Sequence, residues 1–481
     1  MTRRLLPLVP CLVVIVGASA AEGDGFRAAN TSEVSPGKPF GISASRQVVI
    51  QGLIDLDVVN RGQYLTGNRE VSDHAGFGYG RAELGARLKP DEQSSVTVSV
   101  AYQDESGAAP GGTGHYAVIN EAYVDLRDVV DFASLGLKAG RMPVNWNLRP
   151  GHGAFLYDSR ANHPEVTSWD GGQVSFSGIE HVQISPFVYA MPDSGTMFGA
   201  ESNWEPGFSG DLRLFITGLA TWERKSPIRA VDATLSKDSR LVYKSLTPAD
   251  SVATYDVGFT VQVGGVEFWA EAATQRGHLN STVDLRGRAG TAGLEWAPRS
   301  PRLRLGMQGD YRSGEGDPTV LSGGPYPLYW SGTSHAFLAP WEGVDDTYIV
   351  ESEKYGEIGN YLSGPKAYGL QAAKLRAGYT FDERGKFSLD GIYAFFRTDR
   401  EATGTNTVYS YGLPVYSYPV GGRKFGQEID LTFAYRYNFN TTLKLFGGVF
   451  LPGSGFQAVA PGSPTAMDMV YLAGGNLLVK F

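Results

Sequence analysis

The chain has 481 residues and a net charge of −8, an acidic balance that argues against a nucleic-acid binder, and a soluble protein of this length would split into two or three domains. Its one cysteine, Cys11, excludes a disulfide framework, and no stretch beyond the first twenty residues approaches the ~18 apolar residues of a spanning helix. With 62 glycines, 25 tyrosines and 24 phenylalanines, the composition leans towards an all-β protein.

The chain opens with Arg3 and Arg4, an apolar run from Leu5 to Val16 and the small residues Ala18-Ser19-Ala20. This pattern predicts a secretory leader over residues 1–20, cleaved after Ala20. Loss of its two arginines moves the net charge to −10. Residues 21–45 are polar and rich in Gly, Ser and Pro, which predicts a flexible periplasmic lead-in. Residues 46–481 then alternate apolar and polar side chains from end to end. In "VVIQGLIDLDVV", Val48, Ile50, Ile54, Leu56 and Val58 share one face and Gln51, Asp55 and Asp57 the other. "SVTVSVAYQD", "ATYDVGFTVQV", "VEFWAEAATQ" and "EIDLTFAYRY" repeat the pattern. The polar faces carry charges of both signs and the apolar faces almost none. A charge on a lipid-facing midplane position costs about 2–4 kcal/mol, so a membrane barrel has this asymmetry and a soluble sandwich has no need of it.

The connections alternate in length. Short ones fall at Pro90–Ser94, Arg127–Ala133, Gly178–His181, Glu205–Asp211, Gly264–Gly265, Pro298–Pro301, Asp382–Lys386 and Asn438–Thr441. Long ones between them include Arg61–Gly76, Met142–Asp170, Glu223–Ser251, Ser313–Lys366, Thr398–Arg423 and Pro452–Thr465; only the stretch after Ala190 is ambiguous. Together these predict an up-and-down antiparallel transmembrane β-barrel of about 18 strands, with 16 as the alternative and both termini periplasmic. A barrel has no free edge, so the closing stretch "MVYLAGGNLLVKF", Met469–Phe481, is expected to pair with Gln47–Val59. Its alternation and final Phe resemble the C-terminal signal that the barrel assembly machinery of bacterial outer membranes reads. Aromatics near strand ends, among them Tyr79, Tyr102, Trp222, Trp296 and Tyr379, suit an interfacial girdle.

A barrel of this width encloses an aqueous lumen lined by the polar faces. The pore-lining and constriction candidates are Arg81, Arg87, Glu121, Lys138, Arg141, Arg149, Asp158, Arg160, Asp170, Arg288, Arg304, Lys374, Arg376 and Arg436. Further inward acids, such as Asp55, Asp310, Asp390, Glu428 and Asp430, roughly balance the bases. The Met142–Asp170 loop carries mixed charge with Trp146 and Trp169 and is a candidate to fold inward and narrow the lumen; packing on the outer rim is the alternative. The Ser313–Lys366 loop, with carboxylates including Glu315, Asp317, Glu351 and Glu353, is a candidate lid, divalent-cation site or solvated loop.

One stretch adds a resemblance. Gly140-Arg141, then Trp146, Asp158-Ser159-Arg160 and Asp170-Gly171 resemble the pattern of the alginate-export family and related 18-stranded porins. The resemblance implies an outer-membrane channel, and for the family's exporters an arginine-rich lining that passes a polyanion. No G-x-S-x-G elbow, H-E-x-x-H helix or P-loop is present; His152 and His163 beside Asp158 are the one place where catalysis would be sought. The reading is therefore a porin for passive, selective diffusion of small hydrophilic solutes, neither an enzyme nor dependent on a cofactor. Polysaccharide export and a structural or adhesive surface barrel with a blocked lumen are the alternatives. Outer-membrane lipid, lipopolysaccharide and the assembly machinery are the expected partners.

Overall fold

The computed structural model describes residues 39–43, 46–62, 75–107, 115–130, 134–144, 146, 148, 168–191, 195–208, 212–226, 249–280, 283–298, 302–314, 332–335, 337, 347–351, 369–382, 385–410, 413–459 and 469–481. Among them are twenty-one strands: β1 (Pro39–Ser43), β2 (Arg46–Gly62), β3 (Ala75–Lys89), β4 (Ser94–Gly107), β5 (His115–Leu126), β6 (Leu135–Met142), β7 (Trp169–Ile179), β8 (Val182–Met191), β9 (Gly195–Trp204), β10 (Leu212–Ser226) and β11 (Ala249–Val263). The rest are β12 (Val266–Asn280), β13 (Val283–Leu285), β14 (Arg288–Trp296), β15 (Leu303–Arg312), β16 (Gly332–Ser334), β17 (Leu370–Thr380), β18 (Phe387–Ser410), β19 (Leu413–Asn438), β20 (Thr441–Pro452) and β21 (Val470–Lys480). One short helix, α1 (Ser454–Val459), follows β20.

Eighteen of these strands pair side by side, every neighbour antiparallel, in a ring that closes where β21 meets β2. The other three, β1, β13 and β16, hydrogen-bond to the ring or to each other without entering its circuit. The closing register is Leu53–Gly62 on β2 against Tyr471–Lys480 on β21, with two further bonds between Gly52 and Phe481. This corrects the expected pairing with Gln47–Val59. Tilted strands must be staggered to close a ring, so β21 meets only the later part of β2, and Arg46–Val49 carries β1 instead. That pairing places a strand, Pro39–Ser43, within the segment expected to be a lead-in.

All eight short connections lie at one end of the barrel. The other end differs from expectation in two places. The ambiguous link after Ala190 is short, residues 192–194 between β8 and β9. The expected Thr398–Arg423 loop is instead a ribbon: β18 and β19 run 24 and 26 residues and stay paired up to Ser410 and Leu413. Beyond Thr398 on β18 and Gly426 on β19 these two strands pair only with each other.

The alternation sorts as lipid requires. Val58 is 71 % exposed and Leu375 58 %, whereas Lys374 is 1 % and Glu428 0 % exposed. A soluble core has the opposite arrangement, with apolar chains inside and charges outside. On the inner side lie two apolar clusters, most of whose members stand towards the loop-side ends of their strands. One holds Val59, Phe77, Leu370, Phe396, Phe425, Phe450 and Val470; the other holds Tyr123, Met142, Trp169, Phe187, Tyr189 and Met197.

Candidate functional site

Among the described residues, two of the loops that dock on these clusters narrow the lumen: the stretch after β6 packs on the second cluster and the β15–β17 connection on both. After β6 the chain turns inward, and Val144, Trp146 and Leu148 are buried against the inner face. The Trp146 ring lies 5.5 Å from Phe187 on β8. Further along, the Leu148 backbone rests on Gly258 of β11, where any Cβ would collide with the Leu148 carbonyl. Since β6 and β11 are five strands apart around the ring, this short stretch crosses the lumen as a chord and narrows it.

The β15–β17 connection supplies the second inward element. Its near part is tied to the second cluster: the Ser313 hydroxyl donates to the His335 carbonyl at 2.6 Å, the Phe337 amide donates to the Ser313 carbonyl at 2.9 Å, and the Phe337 ring joins Trp146 and Leu148. Its Thr347–Glu351 turn reaches the opposite cluster, where Ile349 and Val350 are buried beside Phe396, Phe446 and Phe450. The polar contacts here are dense. The Ile349 and Val350 amides donate to the two oxygens of Glu428 at 2.7 and 3.0 Å, and the Tyr348 amide donates to Asp430 at 3.1 Å. The Tyr348 hydroxyl meets Thr432 Oγ1 at 2.6 Å, and its ring stacks on Phe446 with centroids 4.8 Å apart. The Lys374 ammonium lies 2.7 Å from both Glu351 and Asp310, joining the loop to two wall strands. Gly448 leaves room for this contact, since a side chain there would meet Asp430 and Ile349.

The remaining inner wall is polar. Arg304 donates to Asp390 at 3.0 Å and Arg376 to Gln308 at 3.0 Å. Arg81 donates to Glu83 at 2.9 Å, and the other oxygen of Glu83 accepts from Ser99 and Asn120 at 2.7 and 2.8 Å. The Lys138 ammonium sits 4.3 Å from the Tyr123 ring centre, within the range of a cation–π contact. Where the turns between β7 and β8 and between β9 and β10 meet, a cavity of about 790 Å³ is lined by Gln183, Asn203, Glu205 and Arg213 among others.

Of the candidates read from sequence, Arg81, Arg87, Glu121, Lys138, Arg304, Lys374, Arg376 and Arg436 lie on the inner side by strand alternation. Three do not. Arg141 and Asp170 pair with each other at 3.6 Å, and the residues beside them, Met142 and Trp169, are the ones that point into the lumen cluster. Arg288 likewise precedes the inward Ala289. All three stand near the loop-side rim, where a charge reaches water from either face, so charge there does not report the side. Arg149, Asp158 and Arg160 lie outside the described residues, as do His152 and His163. Among the described residues no group of His, Cys, Asp and Glu is placed to hold a metal ion. Sequence reasoning missed the apolar lining of the loop-side half. Its signal was present in "AFF" (394–396) and "VFL" (449–451), where alternation gives way to apolar side chains on both faces.

A sealed antiparallel ring of eighteen strands, apolar outside, charged inside and narrowed by inward loops, defines a membrane-spanning barrel of the outer-membrane porin class. Solved porins of this class share the fold. OccK11 (OpdR) of Pseudomonas aeruginosa aligns over 90 % of this chain and 96 % of its own, with 10 % identity and a TM-score of 0.52. OccAB1 of Acinetobacter baumannii aligns over the same shares at 8 % identity and 0.52. OccK2 (OpdF) of P. aeruginosa, solved in complex with glucuronate, aligns over 90 % and 98 % at 10 % identity and 0.52. No curated protein matches the sequence. The profile of the family described as alginate export matches residues 193–468, more than half of the chain, and the chain belongs to that family. The Gly140–Gly171 stretch that carries the resemblance noted above precedes the matched residues.

Proposed function

We propose that the protein is an outer-membrane channel through which small hydrophilic solutes diffuse passively and selectively. It is exported by a leader over residues 1–20, and its short turns face the periplasm. The observation that carries this reading is the divided lumen, polar and charged along much of the wall but reduced on the loop side by two docked loops. A channel needs a wet path and a constriction that sorts solutes by size and charge. In this reading Arg81, Arg87, Glu121, Lys138, Arg304, Lys374, Arg376 and Arg436 set the field along the path. The inward acids Asp310, Asp390, Glu428 and Asp430 stand among these bases, and a lining of both signs suits small polar solutes better than a long polyanion. Outer-membrane lipid, lipopolysaccharide and the assembly machinery are its partners.

Polysaccharide export is the second reading, favoured by the family match over residues 193–468. The test is conductance of the purified protein in planar bilayers. Discrete steps that a soluble polyuronate does not block support diffusion of small solutes, and block by the polymer favours export. The absence of steps overturns both readings and leaves the adhesive barrel.

A further inference from the structure

Glu428 and Asp430 stand two residues apart on β19 in an apolar part of the wall. Across the ladder from Glu428 are Ala394 on β18 and Phe450 on β20, both with no exposed surface. Burying a carboxylate costs several kcal/mol unless hydrogen bonds and opposite charge offset it. Here three consecutive backbone amides of the Thr347–Glu351 turn supply those bonds. Main-chain donors fix where the turn sits whatever its side chains, so the pair acts on the loop's position. The two carboxyls bond each other, and the charged groups around them and the turn include Glu351 of the same turn, Asp310 on β15, Lys374 on β17, Asp390 on β18 and Asp57 on β2. Lys374 is bound to Asp310 and Glu351, and so anchors the end of the turn rather than its amides.

We propose that Glu428 and Asp430 are positioning residues of the channel: they clamp the Thr347–Glu351 turn inside the lumen, and release of the clamp opens the loop-side half to solute. This rests on the channel reading above. Hydrogen bonds to charged groups are roughly twice as strong as neutral ones. Taking negative charge from the pair, by substitution or by a proton, therefore loosens the turn.

The test uses the full chain with Val350→Cys, whose site is 2 % exposed; Cys11, the natural cysteine, lies in the expected leader. The rate of labelling by a membrane-impermeant maleimide reports release independently of transport. With Glu428→Gln and Asp430→Asn together, labelling is expected to rise about tenfold or more, and unitary conductance in planar bilayers to rise with it. Without those substitutions the labelling rate is expected to climb on acidification, a dependence the double variant loses. Glu428→Asp, which keeps the charge on a shorter arm, gives an intermediate rate and serves where the double variant fails the heat-dependent gel shift of a folded barrel. Unchanged labelling overturns the clamp. Faster labelling at unchanged conductance overturns its role in the path. If no variant conducts, the channel reading falls and this proposal with it, while the labelling data still show whether the turn is held.

Discussion

The two inward loops are held by different physics. The stretch from Val144 to Leu148 is held mainly by apolar insertion: Trp146 packs on Phe187, and Leu148 lies on bare Gly258 backbone. The Thr347–Glu351 turn adds carboxylates to the apolar insertion of Ile349 and Val350, with Glu428 and Asp430 taking its amides and Lys374 tying its last residue to the wall. The gross stabilisation is similar in scale, about 1.5–3 kcal/mol for each large side chain fully buried and about 1.5–3 kcal/mol for each bond to a charged group. The responses differ. Apolar contacts do not respond to protons, whereas a carboxylate anchor weakens when it is protonated. One loop is thus a fixed part of the bore and the other a conditional one.

The strongest challenge to this contrast is Lys374→Met, which leaves Asp310 and Glu351 buried without their shared cation. Breaking a buried pair from one side costs about 3–5 kcal/mol. The variant is expected to lower the thermal midpoint of the detergent-solubilised barrel and to loosen the carboxylate-held turn first, seen as earlier proteolysis within residues 313–369. Trp146→Ala follows. It removes a fully packed ring at a cost of about 3 kcal/mol and is expected to enlarge single-channel conductance by the same factor in neutral and acidic buffer. A conductance gain that depends on pH in this variant would erase the distinction between the loops. Gly258→Ala should cost about 1–3 kcal/mol by overpacking and push Leu148 off β11, with a conductance change in the same direction as Trp146→Ala. The smallest effect is outside the lumen. In the β3–β4 turn the Ser94 hydroxyl, followed by the Gln93 and Ser94 amides, holds the Asp91 carboxyl below its ordinary value. A depressed folded pKa contributes stability above the unfolded pKa and loses it as pH falls through the folded one. Asp91→Asn should therefore flatten a shallow acid dependence of the midpoint without changing conductance.

The outer half of this molecule was legible in its sequence because lipid sets one rule for every strand. Val58, Leu84 and Leu375 could be assigned outward from alternation alone, and the eight short turns and the count of eighteen strands followed. The inner half obeys no single rule. Where water fills the lumen, polar alternation holds, as at Arg304 and Asp390. Where a loop docks, the same face becomes apolar, as at Phe396 and Phe450; the lost alternation shows in the strand, but nothing local records which loop folds back onto it. The docking turn carries its instructions in backbone amides, which every residue but proline has, so Tyr348–Val350 gave no signal of its partners. Glu428 and Asp430 were read as inward acids, but their ligands lie about eighty residues earlier in the chain.

The ribbon made by the ends of β18 and β19 also bears on how deep the barrel sits. Among the described residues, no strand pairs with either outer edge of that ribbon above Thr398 and Gly426, and hydrocarbon does not tolerate unpaired main-chain polar groups. The waterline on this flank is therefore expected at or below those two residues, with the ribbon above it standing clear of the bilayer like a mast.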